Sequence, residues 1–345
     1  VATTLTIRPP ADYVLARDAC SYGYFLLSPN HWEPGDFTFR RVLDLSGGPA
    51  ALVVSQGRRP EGRGREAGSR RFIREHAGLP LRVRASRTLS GRERAEAERM
   101  LSRMLRLDED EGVIAAFHRV DRRWRASGRG RVMRSPTLFE DVIRTVTSCN
   151  VTWPSTVNMN RRLCEVVGRG SRAAGWAFPT AKRLARARPG LLRARCSVGY
   201  RDQRIVELAR LFAAAERSRG RRAGGLDLGV LENPATPDGV VYDQLIALPG
   251  IGPYAAANIM QLMGRYARLP LDTESIRHGR TVLGFEGTDR AVMERLRRHF
   301  APFGEHAFRS YWFELWAYYE AKRGPAWTWE RETTGKTFTA ALLGA

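Results

Sequence analysis

Residues 241–280 read VYDQLIALPGIGPYAAANIMQLMGRYARLPLDTESIRHGR, and this stretch decides the fold. Tyr242–Leu248 has the apolar spacing of a short amphipathic helix, Pro249-Gly250-Ile251-Gly252 is a two-glycine turn, and Pro253–Gly264 predicts a second helix opened by proline at its first position. Together they form a helix-hairpin-helix. Gly250 and Gly252 permit positive φ and a close approach of backbone to a ligand, and the free N–H groups opening the second helix face the same way. Such a corner suits a phosphate.

Working outward, the 345-residue chain carries 57 Lys and Arg against 36 Asp and Glu, a formal charge of +21. A polyanion releases counterions on binding such a surface, so nucleic acid is the expected partner, although an Arg-rich genome leaves a similar mark. The basic stretches 56–71 and 216–225 have no apolar period and read as loops. No apolar run reaches the roughly 18 residues of a membrane span, and Val1-Ala2-Thr3 does not begin a charged-then-apolar leader. A cytoplasmic protein is expected, nucleoid-associated if prokaryotic, with no membrane partner. Cys20, Cys149, Cys164 and Cys196 are dispersed, which suggests neither a zinc site nor a disulfide framework.

Up to about Ala85 the chain alternates short β-branched and aromatic runs with Pro, Gly and Asn. Strands are expected at Thr3–Ile7, Tyr22–Leu27, Phe37–Leu45, Ala51–Ser55 and Leu81–Arg84, forming an antiparallel sheet. From Gly91 the period becomes helical, over Arg92–Met104, Asp110–Val120, Thr137–Cys149, Val157–Gly168, Thr180–Ala187, Asp202–Ala215 and Ala291–Phe300. The division read from this change is a β domain over 1–85, a helical body over 86–324 with its hairpin at 241–264, and a tail over 325–345.

Leu248-Pro249-Gly250-Ile251-Gly252, followed by Leu269-Pro270-Leu271-Asp272-Thr273, resembles the helix-hairpin-helix DNA glycosylases, which include endonuclease III, adenine-mismatch, alkyladenine and 8-oxoguanine glycosylases. The resemblance is strong from about Pro136 to Arg323 and weak before Ala85. It implies an α+β fold, an N-terminal antiparallel β-sheet domain followed by a two-lobed all-helical body. No cysteine follows Cys196, so the four thiolates of an iron–sulfur cluster are missing, which points to the alkyladenine and 8-oxoguanine branches. No cofactor is expected to be required.

An N-glycosidic bond breaks through an oxocarbenium-like sugar, so the useful protein group is a carboxylate beside C1′. The resemblance assigns that role to Asp272, in the segment 269–280; capping the helix that starts near Thr273 is a compatible second role. Glu274 is a poorer candidate and reads as a first-turn acid. Bifunctional relatives carry a Schiff-base lysine where this chain has Tyr254, and a phenol cannot form that intermediate. A monofunctional enzyme that hydrolyses with water is therefore expected, with Lys182, Lys322 and Lys336 the only lysines.

Further assignments follow the same resemblance. The turn Pro249, Gly250, Ile251 and Gly252, with the Tyr254 amide, would hold a phosphate 3′ to the lesion. The carbonyls of Ile246, Leu248 and Ile251 would ligate a monovalent cation, sodium or potassium. Asn150 falls where an Asn contacts the orphaned base and Trp153 where a wedge is wanted, although Asn150 reads equally as a helix cap and Trp153 as core. Val198-Gly199-Tyr200-Arg201 resembles a turn of the 8-oxoguanine branch that leaves Arg201 available to a phosphate. Tyr311, Trp312 and Trp316 are candidates for the base pocket, and Gly23 for a carbonyl acceptor of 8-oxoguanine N7–H. The expected partner is double-stranded DNA with a modified base, bound by a monomer. Alkylated purines such as 3-methyladenine are narrowly preferred through cation–π stacking, with 8-oxoguanine, a mismatched base or a catalytically silent DNA-binding hairpin as alternatives.

Overall fold

The computed structural model describes residues 2–59, 69–218, 225–331 and 334. Most of loops 56–71 and 216–225, Lys336 and the end of the tail lie outside the described residues. Among those described, the chain divides into two compact units. One comprises Val1–Thr137, Asn160–Pro179 and Trp316–Lys336; the other comprises Leu138–Met159 and Thr180–Leu315.

The first unit is built on five strands, β1 (Thr4–Ile7), β2 (Asn30–Glu33), β3 (Thr38–Leu45), β4 (Gly48–Gln56) and β5 (Leu81–Ala85). All neighbours are antiparallel, in the order β1-β5-β4-β3-β2. Alternation decides the buried face: in β5, Leu81, Val83 and Ala85 point inward while Arg82 and Arg84 point to solvent. Helices α1 (Gly91–Met104) and α2 (Glu111–Val120) belong to this unit, so it extends beyond the boundary at 85 read from the sequence. Ser90 opens α1 through a reciprocal capping box with Glu93.

Two local expectations are corrected here. Tyr22–Leu27 is not a strand; Gly23–Leu26 forms one tight helical turn inside a fully apolar cluster, where a continuous apolar run carries no period-2 signal. The strand that completes the sheet is Asn30–Glu33, whose polar letters concealed it. Its inward residues are Asn30, which bonds to the Tyr24 carbonyl at 2.8 Å, and Trp32. The indole N–H of Trp32 donates to the Trp327 carbonyl at 2.7 Å, so the first part of the expected tail is an integral piece of this unit.

The second unit is helical. Its elements are α3 (Leu138–Ser148), the start of α4 (Trp153–Val167), α5 (Asp202–Arg217), α6 (Asp238–Ile246), α7 (Pro253–Leu262), α8 (Thr273–Thr281), α9 (Asp289–Phe300) and the first half of α10 (Ala307–Arg323). Shorter helices at Ala181–Leu184 and Pro189–Cys196 replace the single one expected over Thr180–Ala187, because Pro189 starts a new helix at its first turn. No described helix is long and apolar enough to cross a membrane.

Helix α3 is buried almost all round, including Glu140, Asp141 and Arg144. Glu140 and Arg144 pair one turn apart, the guanidinium Nε donating at 2.8 Å. Thr145 on the same helix accepts from the Asn258 amide of α7 at 2.9 Å, a polar tie between α3 and the hairpin's second helix. Asn258→Ala removes that buried bond and is expected to cost about 0.5–1.5 kcal/mol, read as a lower urea midpoint with an unchanged slope.

Candidate active site

The hairpin forms as the sequence indicates. Helix α6 ends at Ile246, Leu248 accepts from the Ile251 N–H at 3.2 Å to close the turn, and Pro253 opens α7. Gly250 has φ +74 and is the turn residue that needs glycine. A Cβ there would sit 2.6 Å from Cδ of Arg204, whose aliphatic stem crosses this glycine. Gly252 differs from expectation, with φ −96 and the role of N-cap to α7. Any residue adopts that φ, and a Cβ there would meet nothing within 4 Å. The fold itself does not require glycine at 252. The last carbonyls of α6 lack intrahelical partners, and Leu248 spends one of its two carbonyl lone pairs in the turn. The backbone oxygens of Ile246, Leu248 and Ile251 therefore retain acceptor capacity for a cation.

Asp272 is half-buried and is the N-cap of α8. Its Oδ1 accepts the Ser275 N–H at 3.0 Å and lies 3.1 Å from Ser275 Oγ, while its own N–H donates to that Oγ at 3.1 Å. Asp272 thus takes the capping role expected for it, and the same bonds hold its carboxyl in one orientation. Burial is the largest influence on its acidity and pushes the carboxyl above its ordinary range. The negative Glu274 adds to this, and the hydrogen bonds from Ser275 and the Glu274 N–H oppose it. Glu274 itself accepts from Arg277 Nε at 2.9 Å, as a paired first-turn acid.

Asn150 lies just past the end of α3, exposed and with φ +52, the left-handed conformation that asparagine tolerates at helix ends. The group that shapes this turn is Arg201. Its Nε donates to the Val146 carbonyl at 3.1 Å and its Nη2 to the Cys149 carbonyl. Arg201 is buried, so it is not available to a phosphate, a correction to the sequence reading; it ties down the C-terminal carbonyls of α3. The exposed cation of this region is Arg204, which together with Arg201 flanks the outward ring of Tyr200, at 5.5 and 4.4 Å. Between Asn150 and α3, the Cys149 thiol is pushed up to about 11, first by burial and further by the charge of Asp272, with Arg201 opposing.

Trp153 is half-buried and is the first residue of α4. Tyr254 is half-buried in the first turn of α7. Of the lysines, Lys182 lies on the helix Ala181–Leu184, and the Lys322 amine sits 4.9 Å from the Tyr318 ring in the first unit.

The aromatic candidates separate. Trp312 is half-buried and stacks on Phe308 at 5.9 Å. Tyr311 is 3% exposed and its hydroxyl lies 2.7 Å from Ser275 Oγ, so its polar end is engaged with the first turn of α8. Trp316 is 1% exposed and packs among Tyr319 and Trp329 in the core of the first unit, which leaves no face for a base. Gly23 is half-buried and opens a tight helical turn in place of the strand expected there. Ser275 and Arg204 are residues that sequence reasoning missed. The signal for Ser275 was present, since a side-chain acceptor at N-cap with a hydroxyl three residues on is a capping pattern.

Solved structures with this geometry carry 15–18% identity over nearly the whole chain. The 3-methyladenine DNA glycosylase of Archaeoglobus fulgidus matches with a TM-score of 0.61 and 18% identity, over 91% of this chain and 98% of its own. The 8-oxoguanine glycosylase/lyase of Clostridium acetobutylicum matches in its apo form with a TM-score of 0.60 and 16% identity, over 91% and 97%. The same enzyme in complex with double-stranded DNA gives 0.58 and 15%, over 93% and 98%. The chain has the fold of the helix-hairpin-helix DNA glycosylases. No protein-family model matches the chain, and no curated protein matches it in sequence.

The raised pKa of Asp272 has a stability consequence. In the unfolded chain the carboxyl ionises near pH 4, and in the folded chain only at higher pH. The fold therefore loses stability as pH rises through that window and carries a constant cost above it. Asn is as good an N-cap as Asp. Asp272→Asn is expected to melt with the parent at about pH 3 and above it near pH 7; equal midpoints at both would contradict the assignment.

Proposed function

We propose that the protein is a monofunctional DNA glycosylase of base excision repair. It flips a damaged purine out of the duplex, hydrolyses its N-glycosidic bond, and leaves an abasic site in an uncut strand. The observation that carries this reading is Asp272, a half-buried carboxylate fixed by Ser275 in a fold that otherwise houses DNA glycosylases. As the base departs, positive charge grows at C1′, and a preoriented carboxylate stabilises it without reorganising. Burial strengthens that interaction by excluding water. Ionised, the same group can orient the attacking water.

The hairpin supplies the grip on DNA. The amides around Gly250 and Gly252 receive a phosphate, and the open space over Gly252 lets the backbone approach it directly. A monovalent cation held by the Ile246, Leu248 and Ile251 carbonyls would add positive charge at that corner. Tyr254 in place of an amine supports hydrolysis by water over a lyase step. The exposed Asn150 turn faces the space left by the flipped nucleotide, with Trp153 beside it and Trp312 as the remaining candidate ring for the base.

Alkylated purines such as 3-methyladenine are the preferred substrates, because cationic bases stack well on aromatic faces. The second reading, 8-oxoguanine, is favoured by the Asn150 turn and the Gly199-Tyr200-Arg201 segment that holds it. A screen of duplexes each carrying one modified base, followed by alkali cleavage, separates the two; release of 8-oxoguanine without alkylpurines overturns the preference.

Asp272→Asn is expected to lose base release by at least about 100-fold while binding duplex normally, and borohydride is expected to trap no covalent complex on abasic DNA. Undiminished release, or efficient trapping, defeats the mechanism. Gly252→Ser separates fold from grip: serine caps a helix at least as well as glycine, so its melting temperature should not fall below the parent's, while duplex affinity falls about 10-fold or more. Unchanged affinity would show that no ligand approaches that backbone.

A further inference from the structure

Ser275 Oγ has one proton and two lone pairs, and three groups surround it. The Asp272 N–H, at 3.1 Å, can only donate and takes one lone pair. Asp272 Oδ1, at 3.1 Å, can only accept when ionised. The Tyr311 hydroxyl, at 2.7 Å, can do either. If Ser275 gave its proton to Tyr311, its oxygen would face the carboxylate across 3.1 Å with lone pair against charge. Only one allocation satisfies all three: Tyr311 donates to Ser275, and Ser275 donates to Asp272.

We propose that Tyr311 is a positioning residue for the Asp272 carboxylate, acting through the Ser275 hydroxyl. The catalytic meaning of this relay rests on the glycosylase reading; the relay itself does not.

The surroundings hold Tyr311 to that task. Its ring packs edge-on to Phe300 at 5.5 Å, to His278 at 5.9 Å and to Phe308 at 6.3 Å. His278 is fully buried and its Nε2 lies 2.8 Å from Glu314 Oε1, so this edge of the cage is fixed too. Burial, followed by the charge of Asp272, pushes the phenol well above its ordinary range, so it keeps its proton as a donor. The other titratable groups facing the pair are Glu274 and Arg277 on α8, which bond to each other, and the Cys149 thiol after α3, which stays neutral. None of them supplies a proton to Oδ1. Ser275 gives that oxygen both of its donors, N–H and O–H, and Tyr311 sets the direction of the second.

The relay thus opposes burial. Water-free surroundings favour the protonated acid, and the aligned hydroxyl favours the carboxylate. Tyr311→Phe keeps the ring and its packing and removes only the donor.

The decisive measurement is the Asp272 titration followed by carbon-13 NMR of its carboxyl, with the pH–rate profile of base release under single turnover alongside. In Tyr311→Phe, the titration and the acid limb of the profile are expected to move up together by roughly 0.5–1 pH unit, with a 3–10-fold lower rate on the limb. Ser275→Ala should move both further, and the double variant should match Ser275→Ala. A lower melting temperature or weaker DNA binding in Tyr311→Phe with an unmoved Asp272 titration means a purely structural tyrosine and overturns the proposal. A double variant shifted beyond Ser275→Ala overturns it as well, since Tyr311 would then act by another route. If the parent protein releases no base from any duplex, the glycosylase reading falls, and the NMR titration still decides the relay.

Discussion

Four backbone N–H groups at the start of any helix lack partners, and how α8 meets that constraint organises the site. Asp272 Oδ1 receives the Ser275 N–H, and Ser275 Oγ receives the Asp272 N–H in return. The start of α8 and the orientation of the Asp272 carboxylate are therefore set by the same interaction. A helix that frayed at Thr273 would lose both at once. The first turn of α8 is held in turn by Tyr311 from α10, which stands in a cage of Phe300, Phe308 and His278. The packing of three helices thereby reaches one oxygen atom.

A parallel device acts at the end of α3. Its carbonyls need partners, and Arg201 supplies them from the Gly199–Arg201 turn that precedes α5. The guanidinium sits where a helix dipole favours positive charge. With those carbonyls tied, the chain leaves α3 through a left-handed residue, and Asn150 is turned outward. The Asn258–Thr145 bond ties the same helix to α7 of the hairpin. Hairpin and Asn150 turn are both referred to α3, and so are kept in register by buried polar groups in addition to apolar packing. Such bonds are directional, which apolar contacts are not, and an unmade one is costly when buried.

Where one physical signal dominated, the sequence was readable. Period-3.6 apolar patterns located the helices of the second unit, and Pro253 marked the start of α7. Asp272 was legible because it follows the hairpin at a fixed distance and precedes a helix. What stayed hidden depends on partners remote in sequence. Arg201 reads as a surface cation until the carbonyls 50 residues away are in place. Trp316 and Tyr311 share one aromatic run, yet one is enclosed beside Trp329 while the other bonds to Ser275. Strand β2 carries Asn and His where alternation looks for β-branched residues, and its inward Asn30 is satisfied only by the Tyr24 carbonyl and by Arg41 across the sheet. Gly252 looked like a second left-handed glycine because glycine is commonest where φ is positive; here its φ is ordinary and the missing side chain leaves open space.

That open space and the acidity of Asp272 pull in one direction. A fold optimised for stability alone has no reason to leave a glycine at an unstrained N-cap, where Ser, Thr, Asp or Asn would bond the helix amides. It has equally little reason to bury a carboxylate whose ionised form burial disfavours, when asparagine would cap as well. Both positions are costs within the free protein, and on the proposed glycosylase reading they are offset when a ligand backbone approaches Gly252 and a positive charge develops beside Asp272. The pairing of Glu274 with Arg277 fits the same logic. An unpaired Glu274 would raise the Asp272 pKa further, and its pairing with Arg277 limits that push. Asp272 is thus balanced between burial, which favours the protonated acid, and hydrogen bonds that favour the carboxylate.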